Sequence, residues 1–558
     1  MAIESIDAGA WSLVPALLAI SLAWYTRDAL IGLFVGIAVA GPVYGALSPE
    51  AVGVPPELVG SVLGNLVGAL YGLRLVPEII ATAPLFSSAW YVENVLVALF
   101  AIGGLIGLMI RSGALQGVVE ALAARVDDDD GAEKAAFLAG IAIHIDDYFN
   151  CLVVGSMMRP LTDKFDVSRA KLAYYVDSAG SPAARLAFYS TWGVALVGFI
   201  GGGLEAAAQN GQLSGSLSSM VTTNADGELT AAVNEVWPLF LNALFTGFYS
   251  WIALFVAAGV AWQVVPNFGP MREEERRGRE EGKVVADDDD PMISREMDQY
   301  GMSDAATPDW RNFAIPLGVM IAVALGSMFV TASPWLVADS MNELFAVGGF
   351  ALMLPASGAW SFSPGAFRLG LAAVTALVAA FVLYRVKGDI PSNDDATTAL
   401  TTGMKGIFLA ALILTFASSI QNAVTILGIG GFVSQWFSGV PAFLVPLALF
   451  AVTAFVSFSD GSSWSTYGIM FPIAIPVALT TDANLVLVLG AVFSGGIFGD
   501  HSSPISDTTV LASSTSGSDH MTHVRTQIPY ALVTAGGAAV LFVLFGFLLP
   551  EGFRIIPY

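Results

Sequence analysis

The sequence predicts an all-α polytopic membrane protein whose two halves repeat one another, each with broken helices. Three observations carry that expectation. Of 558 residues, 55% are hydrophobic and 12% charged, against about 25% charged in soluble domains. The apolar residues fall in runs near the length that crosses about 30 Å of hydrocarbon. Aspartate-led polar patches occur twice in each half, although a charge in such surroundings costs at least about 2–3 kcal/mol.

The chain opens with MAIESIDAGA, which has no basic stretch and carries Glu4 and Asp7. A cleaved leader is therefore not expected, and the first apolar run stays with the protein. Runs at 11–25, 28–47, 91–110, 186–203 and 237–265 fill the first half. Runs at 313–331, 367–384, 406–427, 440–457 and 527–549 fill the second. Divided at their Gly and Pro interruptions they make about ten to fourteen spans. Pro and Gly breaks in 333–366 leave its crossings uncounted.

A highly charged stretch separates the halves. It divides the chain into a membrane half at 1–266, a charged connector at 267–311 and a second membrane half at 312–558. Glu and Arg spaced i,i+4 in MREEERRGREE predict a short helix in an otherwise solvated connector. Basic residues in short loops set orientation. Arg159, Lys164, Arg169 and Lys171, the connector's arginines, and Arg385, Lys387 and Lys405 mark three cytoplasmic stretches. Residues 204–234 contain no Lys or Arg and are expected outside a cell membrane crossed many times.

The 46 acidic against 23 basic residues give a formal charge of −23, which excludes a nucleic-acid partner. Such self-repulsion is tolerable where salt shortens the screening length to about 3 Å, so a halophilic source is expected. The DDDD runs at 127–130 and 287–290 read as solvated loops. The lone Cys151 allows no disulfide framework and reads as a small buried hydrophobe. No cofactor motif is present, and the lipid bilayer is the surrounding partner.

The first half contains HIDDYFNCLVVGSMMRP (144–160) and YVDSAGSP (175–182); the second contains SFSDGSSWSTYGIMFPIAIP (457–476) and FGDHSSPISDTT (498–509). Asp147 and Asp177 are 30 residues apart, Asp460 and Asp500 40 apart. The order within each half matches, as in transporters built from repeats whose discontinuous helices meet at one ion site. Oxygen ligands of this kind suit a hard cation, so sodium is expected at Asp177, Asp460 and Asp500. A buried carboxylate can also take a proton in place of the ion. His144, His501, His520 and His523 make no metal spacing, and GSDHMTHVR places the last two in a polar, solvated stretch.

At these residues the chain resembles the NhaC family of sodium/proton antiporters. The matching stretches are DDYFNCLVVGSMMRPLTDKFDVSRAKLAYYVDS (146–178), FSDGSSWSTYGIMFPIAIP (458–476), FGDHSSPISDTTVLASS (498–514) and DHMTHVRTQIPYAL (519–532). The resemblance implies two inverted-topology repeats with re-entrant hairpins and broken helices, an elevator-type carrier and a homodimer. It implies antiport of sodium against protons, with relatives that move malate and lactate. The implied ion or substrate site draws on Asp147, Asn150, Asp177, Ser178, Asp460, Ser462, Ser463, Asp500, Ser503, Asp507 and Thr508, with Ser181 and Arg185 beside them.

Arg185 departs from the family pattern, in AARLAFYSTWG, eight residues beyond Asp177. A guanidinium there can bind a carboxylate substrate or neutralise a site aspartate; it can also snorkel to an interface. Sodium export against protons is the leading expectation. A sodium- or proton-coupled carrier of a small organic anion or amino acid is the alternative. An intramembrane aspartyl protease and a passive channel are the remoter readings.

Overall fold

The computed structural model describes residues 3–26, 28–83, 92–123, 126–144, 147–187, 190–209, 211–223, 229–231, 233–292, 301–332, 369–429, 432, 437 and 439–556. The stretch 333–366 lies outside the described residues. The architecture is almost wholly helical, as hydrocarbon demands of a chain that must satisfy its own backbone groups.

The first half runs α1 (Val14–Thr26), α2 (Ala29–Leu47), α3 (Val62–Gly72), α4 (Val76–Ala81), α5 (Ala98–Arg111), α6 (Ala114–Ala123) and α7 (Asp129–Ala142). It continues with α8 (Asp147–Lys164), α9 (Arg169–Leu186), α10 (Thr191–Gln209), α11 (Val233–Thr246) and α12 (Phe248–Ala261). Then follow α13 (Pro270–Glu281), α14 (Arg311–Ala332), α15 (Leu369–Lys387), α16 (Asn393–Ile426), α17 (Val445–Asp460), α18 (Ser463–Thr480), α19 (Leu485–Ser502), α20 (Asp507–Ser516) and α21 (His520–Leu548). Within 204–234 a short hairpin pairs β1 (Val221–Thr223) with β2 (Leu229–Ala231).

Among the described residues six helices are long and apolar enough to span a membrane, or eight when two bent pairs each count as one. The bends are 42° between α11 and α12 and 44° within α16. The sequence suggests more spans because several apolar runs are described only as shorter helices, at Gly9–Ala23, Ala98–Arg111, Leu196–Ala208 and Arg311–Ala324. Position in the bundle also differs sharply. α19 buries 94% of its best apolar window and α21 only 22%, so α19 is shielded by protein while the apolar window of α21 is largely exposed on the outside of the bundle.

Local chemistry sets the helix starts. Asp128 caps α7 by accepting from Gly131 N at 2.8 Å, with Asp129 and Asp130 in the first turn. The first DDDD run is therefore a helix start, where carboxylates meet the positive end of the helix dipole, and not merely a solvated loop. Ser168, Asn484, Ser506 and Asp519 cap α9, α19, α20 and α21 in the same way.

The connector forms its helix at α13, but that helix is docked, with Met271, Glu275 and Gly278 buried. Glu275 Oε1 accepts from Ser168 N at 2.9 Å and from Ser168 Oγ at 2.6 Å. Lys171, fully buried, lies 2.7 Å from Glu133 and 3.3 Å from Glu275. Arg279 adds a 2.7 Å pair to Glu133. The start of α9 is thus clamped between α7 and α13. Lys171→Met leaves two carboxylates facing each other, with only the partly exposed Arg279 to offset them. It should cost about 3 kcal/mol, read as a lowered unfolding temperature in detergent, and Glu133→Gln in the same chain should restore part of the loss.

Candidate functional site

Both halves place an aspartate at a helix break and another in the second helix after that break. In the second half α17 ends at Asp460, Gly461 turns the chain at φ +74°, and Ser462 caps α18. A Cβ on Gly461 would sit 2.5 Å from the carbonyl oxygen of Ile505, so only glycine fits both the turn and the contact. α19 carries Asp500 and stops at Ser502; after three residues Ser506 caps α20. In the first half α7 ends at Ala142, α8 begins at Asp147, and Asp177 lies within α9. Asn150 Nδ2 donates to the carbonyls of Gly140 and Ile143, both at 2.6 Å, satisfying groups freed by that break.

Arg185 lies at the centre and is fully buried, which excludes snorkelling. Its Nη1 is 3.0 Å from Asp147 Oδ2, and its Nη2 pairs with Asp500 Oδ2. Nη2 also donates to Ser463 Oγ at 2.6 Å, and Nη1 to the Ser181 carbonyl at 3.1 Å. The guanidinium stacks 4.0 Å from the ring centre of Trp192. Asp500 in turn accepts from Ser463 Oγ at 2.7 Å, Ser506 Oγ at 2.7 Å and Thr508 Oγ1 at 3.4 Å.

The other aspartates have separate surroundings. Asp460 accepts from Ser462 N at 2.9 Å, Ser465 Oγ at 2.6 Å and Thr466 Oγ1 at 3.3 Å. Asp507 accepts from the Tyr148 hydroxyl and from Thr508 N. Asp177 Oδ2 accepts from Gln527 Nε2 at 2.7 Å and Thr509 Oγ1 at 3.1 Å. Among the described residues no group of three His, Cys, Asp or Glu is placed to hold a metal ion together. Asp177, Asp460 and Asp500, expected to share sodium, therefore do not form one ligand cluster.

Four of the unpaired buried oxygens lie on α8 and α9, and others are spread elsewhere in the bundle. Asn150 Oδ1, Asp177 Oδ1 and Ser181 Oγ are buried and have no hydrogen-bond partner. Asp147 Oδ2 meets Arg185 without the angle of a hydrogen bond. Asn150 comes this close because α9 has Gly180, where a Cβ would lie 2.5 Å from Asn150 Oδ1. Buried oxygens left without donors are rare in native proteins, and together they offer hard ligands to a cation.

Not every predicted residue faces this centre. Ser462 accepts from Trp464 N at 3.3 Å as a cap, and Ser503 donates to the Phe458 carbonyl at 2.7 Å. Both hold the breaks open. Ser178 bonds His501 Nε2 at 2.8 Å, and Tyr249 bonds His501 Nδ1 at 2.7 Å. His520 and His523, expected to be solvated, are buried in the first turn of α21. Thr509, which the sequence marks with Asp507 and Thr508 as a ligand or a cap, donates to Asp177; Tyr148, Trp192 and Gln527 go unmarked, because nothing in their local sequence singles them out. Only the fold brings Gln527 to Asp177 across 350 residues.

Residues 217–547 match the model of the Na+/H+ antiporter family. An uncharacterized protein of Haemophilus influenzae is 28% identical over 551 residues, 98% of this chain and 93% of that one. The malate-2H+/Na+-lactate antiporter of Bacillus subtilis is 31% identical over 151 residues, 25% of this chain and 32% of its own. The Na+/H+ antiporter NhaC of Alkalihalophilus pseudofirmus is 27% identical over 156 residues, 26% of this chain and 31% of its own. The matched segments thus cover about a third of the length of these last two relatives. A family match that takes in the break at Gly461, Asp500 and Gln527 leaves one assignment: this multi-pass membrane protein belongs to the Na+/H+ antiporter family and is a transporter, not an enzyme.

Proposed function

We propose that the protein exchanges sodium for protons, with Asp177 as the carboxylate that holds one or the other. The observation that carries this is the set of donorless buried oxygens, Asn150 Oδ1, Asp177 Oδ1 and Ser181 Oγ. A sodium ion takes oxygens of this kind as ligands, whereas a proton satisfies the carboxylate alone. Competition for Asp177 then makes loading by one ion release the other. The surrounding charge favours a cation: Asp147, Asp177, Asp460 and Asp500 are all buried, and Arg185 pairs with only Asp147 and Asp500 of them.

The organic-anion alternative is less well supported, since Arg185 is already engaged by two carboxylates and a substrate carboxylate must displace one of them. We further propose that the halves are inverted repeats working as an elevator, in a homodimer in the cell membrane, with the connector cytoplasmic and residues 204–234 outside. The acidic surplus supports operation at high salt. The test is purified protein in proteoliposomes holding an imposed pH gradient. Added sodium should collapse the gradient and choline should not. Collapse by malate, lactate or an amino acid, with none by sodium, overturns the reading.

A further inference from the structure

Beyond the aspartates, a buried chain of polar groups leads from Asp177 to the start of α21. Gln527 Nε2 donates to Asp177 Oδ2 at 2.7 Å and also to the His501 carbonyl. Two acceptors at that nitrogen fix the amide's orientation, so Gln527 Oε1 faces His523 Nε2 at 2.8 Å as an acceptor. His523 must then carry a proton on Nε2. His520 Nε2 faces the Pro504 carbonyl at 2.7 Å, so it too carries a proton there. Both remaining ring nitrogens meet one hydroxyl: Ser513 Oγ is 2.8 Å from His523 Nδ1 and 3.1 Å from His520 Nδ1. That hydroxyl has one hydrogen and is also 2.7 Å from the Thr509 carbonyl.

These requirements do not close for two neutral rings. With both neutral, each Nδ1 is a bare acceptor and Ser513 has one hydrogen for two of them. One nitrogen is left against an oxygen lone pair. A single added proton resolves the conflict, because the protonated Nδ1 donates to Ser513 while Ser513 donates to the other ring. We infer that His520, His523 and Ser513 form a second proton-binding site, which takes up one proton beyond the neutral pair and reports its state to Asp177 through Gln527. A charged ring is a stronger donor to Gln527, which in turn becomes a stronger donor to Asp177 and favours its ionised, sodium-binding form.

The groups around the site act in both directions. Asp519 caps the same helix, Asp289 accepts from Thr522 Oγ1 at 2.7 Å, and Asp177 lies beyond Gln527; all three favour the added charge. Asp507 and Asp500 lie farther along α20 and α19. Burial, the positive end of α21, His501, Arg525 on the same helix, and Arg159 and Arg169 against Gly517 oppose it. The coupling to transport rests on the role proposed for Asp177; the presence of the proton does not.

The chain has only four histidines, so selective nitrogen-15 labelling of histidine in lipid nanodiscs resolves each ring. His520→Gln and His523→Gln assign the signals. Within about pH 6–8, one ring of the pair should carry protons on both nitrogens, and Ser513→Ala should return both rings to neutral. Two neutral rings throughout that range in the unaltered protein overturn the site. In Asp177→Asn the pair's midpoint should fall by about one pH unit, a tenfold loss of proton affinity, because a negative neighbour has gone. An unchanged midpoint overturns the coupling. If sodium moves no protons in proteoliposomes, the antiport reading falls alone, since the ring spectra decide the proton site independently.

Discussion

Asp177→Asn should lower sodium-driven proton flux in proteoliposomes by about 100-fold or more, while leaving the unfolding temperature unchanged or raised. The amide keeps an oxygen to accept from Thr509 and Gln527, so the local hydrogen bonds survive. It can neither ionise nor exchange a proton. Losing a charge-assisted ligand bond is worth about 3 kcal/mol, or about 100-fold in affinity. The burial of Asp177, at 0% exposure, means that removing its charge also removes a desolvation cost, and this separates the variant from one that fails by misfolding. Asp177→Glu keeps the titrating group and should retain part of the flux. Full flux in Asp177→Asn would remove Asp177 from the mechanism.

Arg185→Gln should produce the largest loss of stability, about 3–5 kcal/mol. The guanidinium is the positive partner of both Asp147 and Asp500, and its removal leaves two buried carboxylates without compensation. Thermal unfolding in detergent measures the loss. Arg185→Lys should fall between the two, since one ammonium cannot span both carboxylates or stack on Trp192 as the planar group does. Neutralising Asp500 as well, in Arg185→Gln with Asp500→Asn, should recover part of the stability. If Arg185→Gln unfolds at the same temperature as the unaltered protein, the ion triad does not hold the two halves together. Transport assays on Arg185→Lys complete the picture: sodium–proton exchange should persist at reduced rate, because the cation ligands on α8 and α9 are untouched.

The sequence made the class and the special residues legible for one reason. Hydrocarbon penalises charge so strongly that Asp147, Asp177, Asp460 and Asp500 stand out in their apolar surroundings without any structure. Glycine, serine and proline beside them marked the breaks, because those residues supply turns, caps and missing donors within a few positions along the chain. The helix in MREEERRGREE was legible for the same local reason. Its docking was not, because Glu275 finds Ser168 and Lys171 more than 100 residues away.

Partner choice is where one-dimensional pattern gives out. Arg185 could snorkel, bind a substrate or pair with an aspartate; burial and the approach of Asp500 from 315 residues away selected the last. His520 and His523 lie in a polar stretch, yet the packing of α20 against α21 sealed them around Ser513. By itself the sequence determined that this is a membrane transporter chain with costly carboxylates at paired helix breaks, since hydropathy and backbone chemistry are local. Only the tertiary structure decided which oxygens stay free for an ion and which are already taken, since that depends on contacts between distant segments whose geometry no local periodicity encodes.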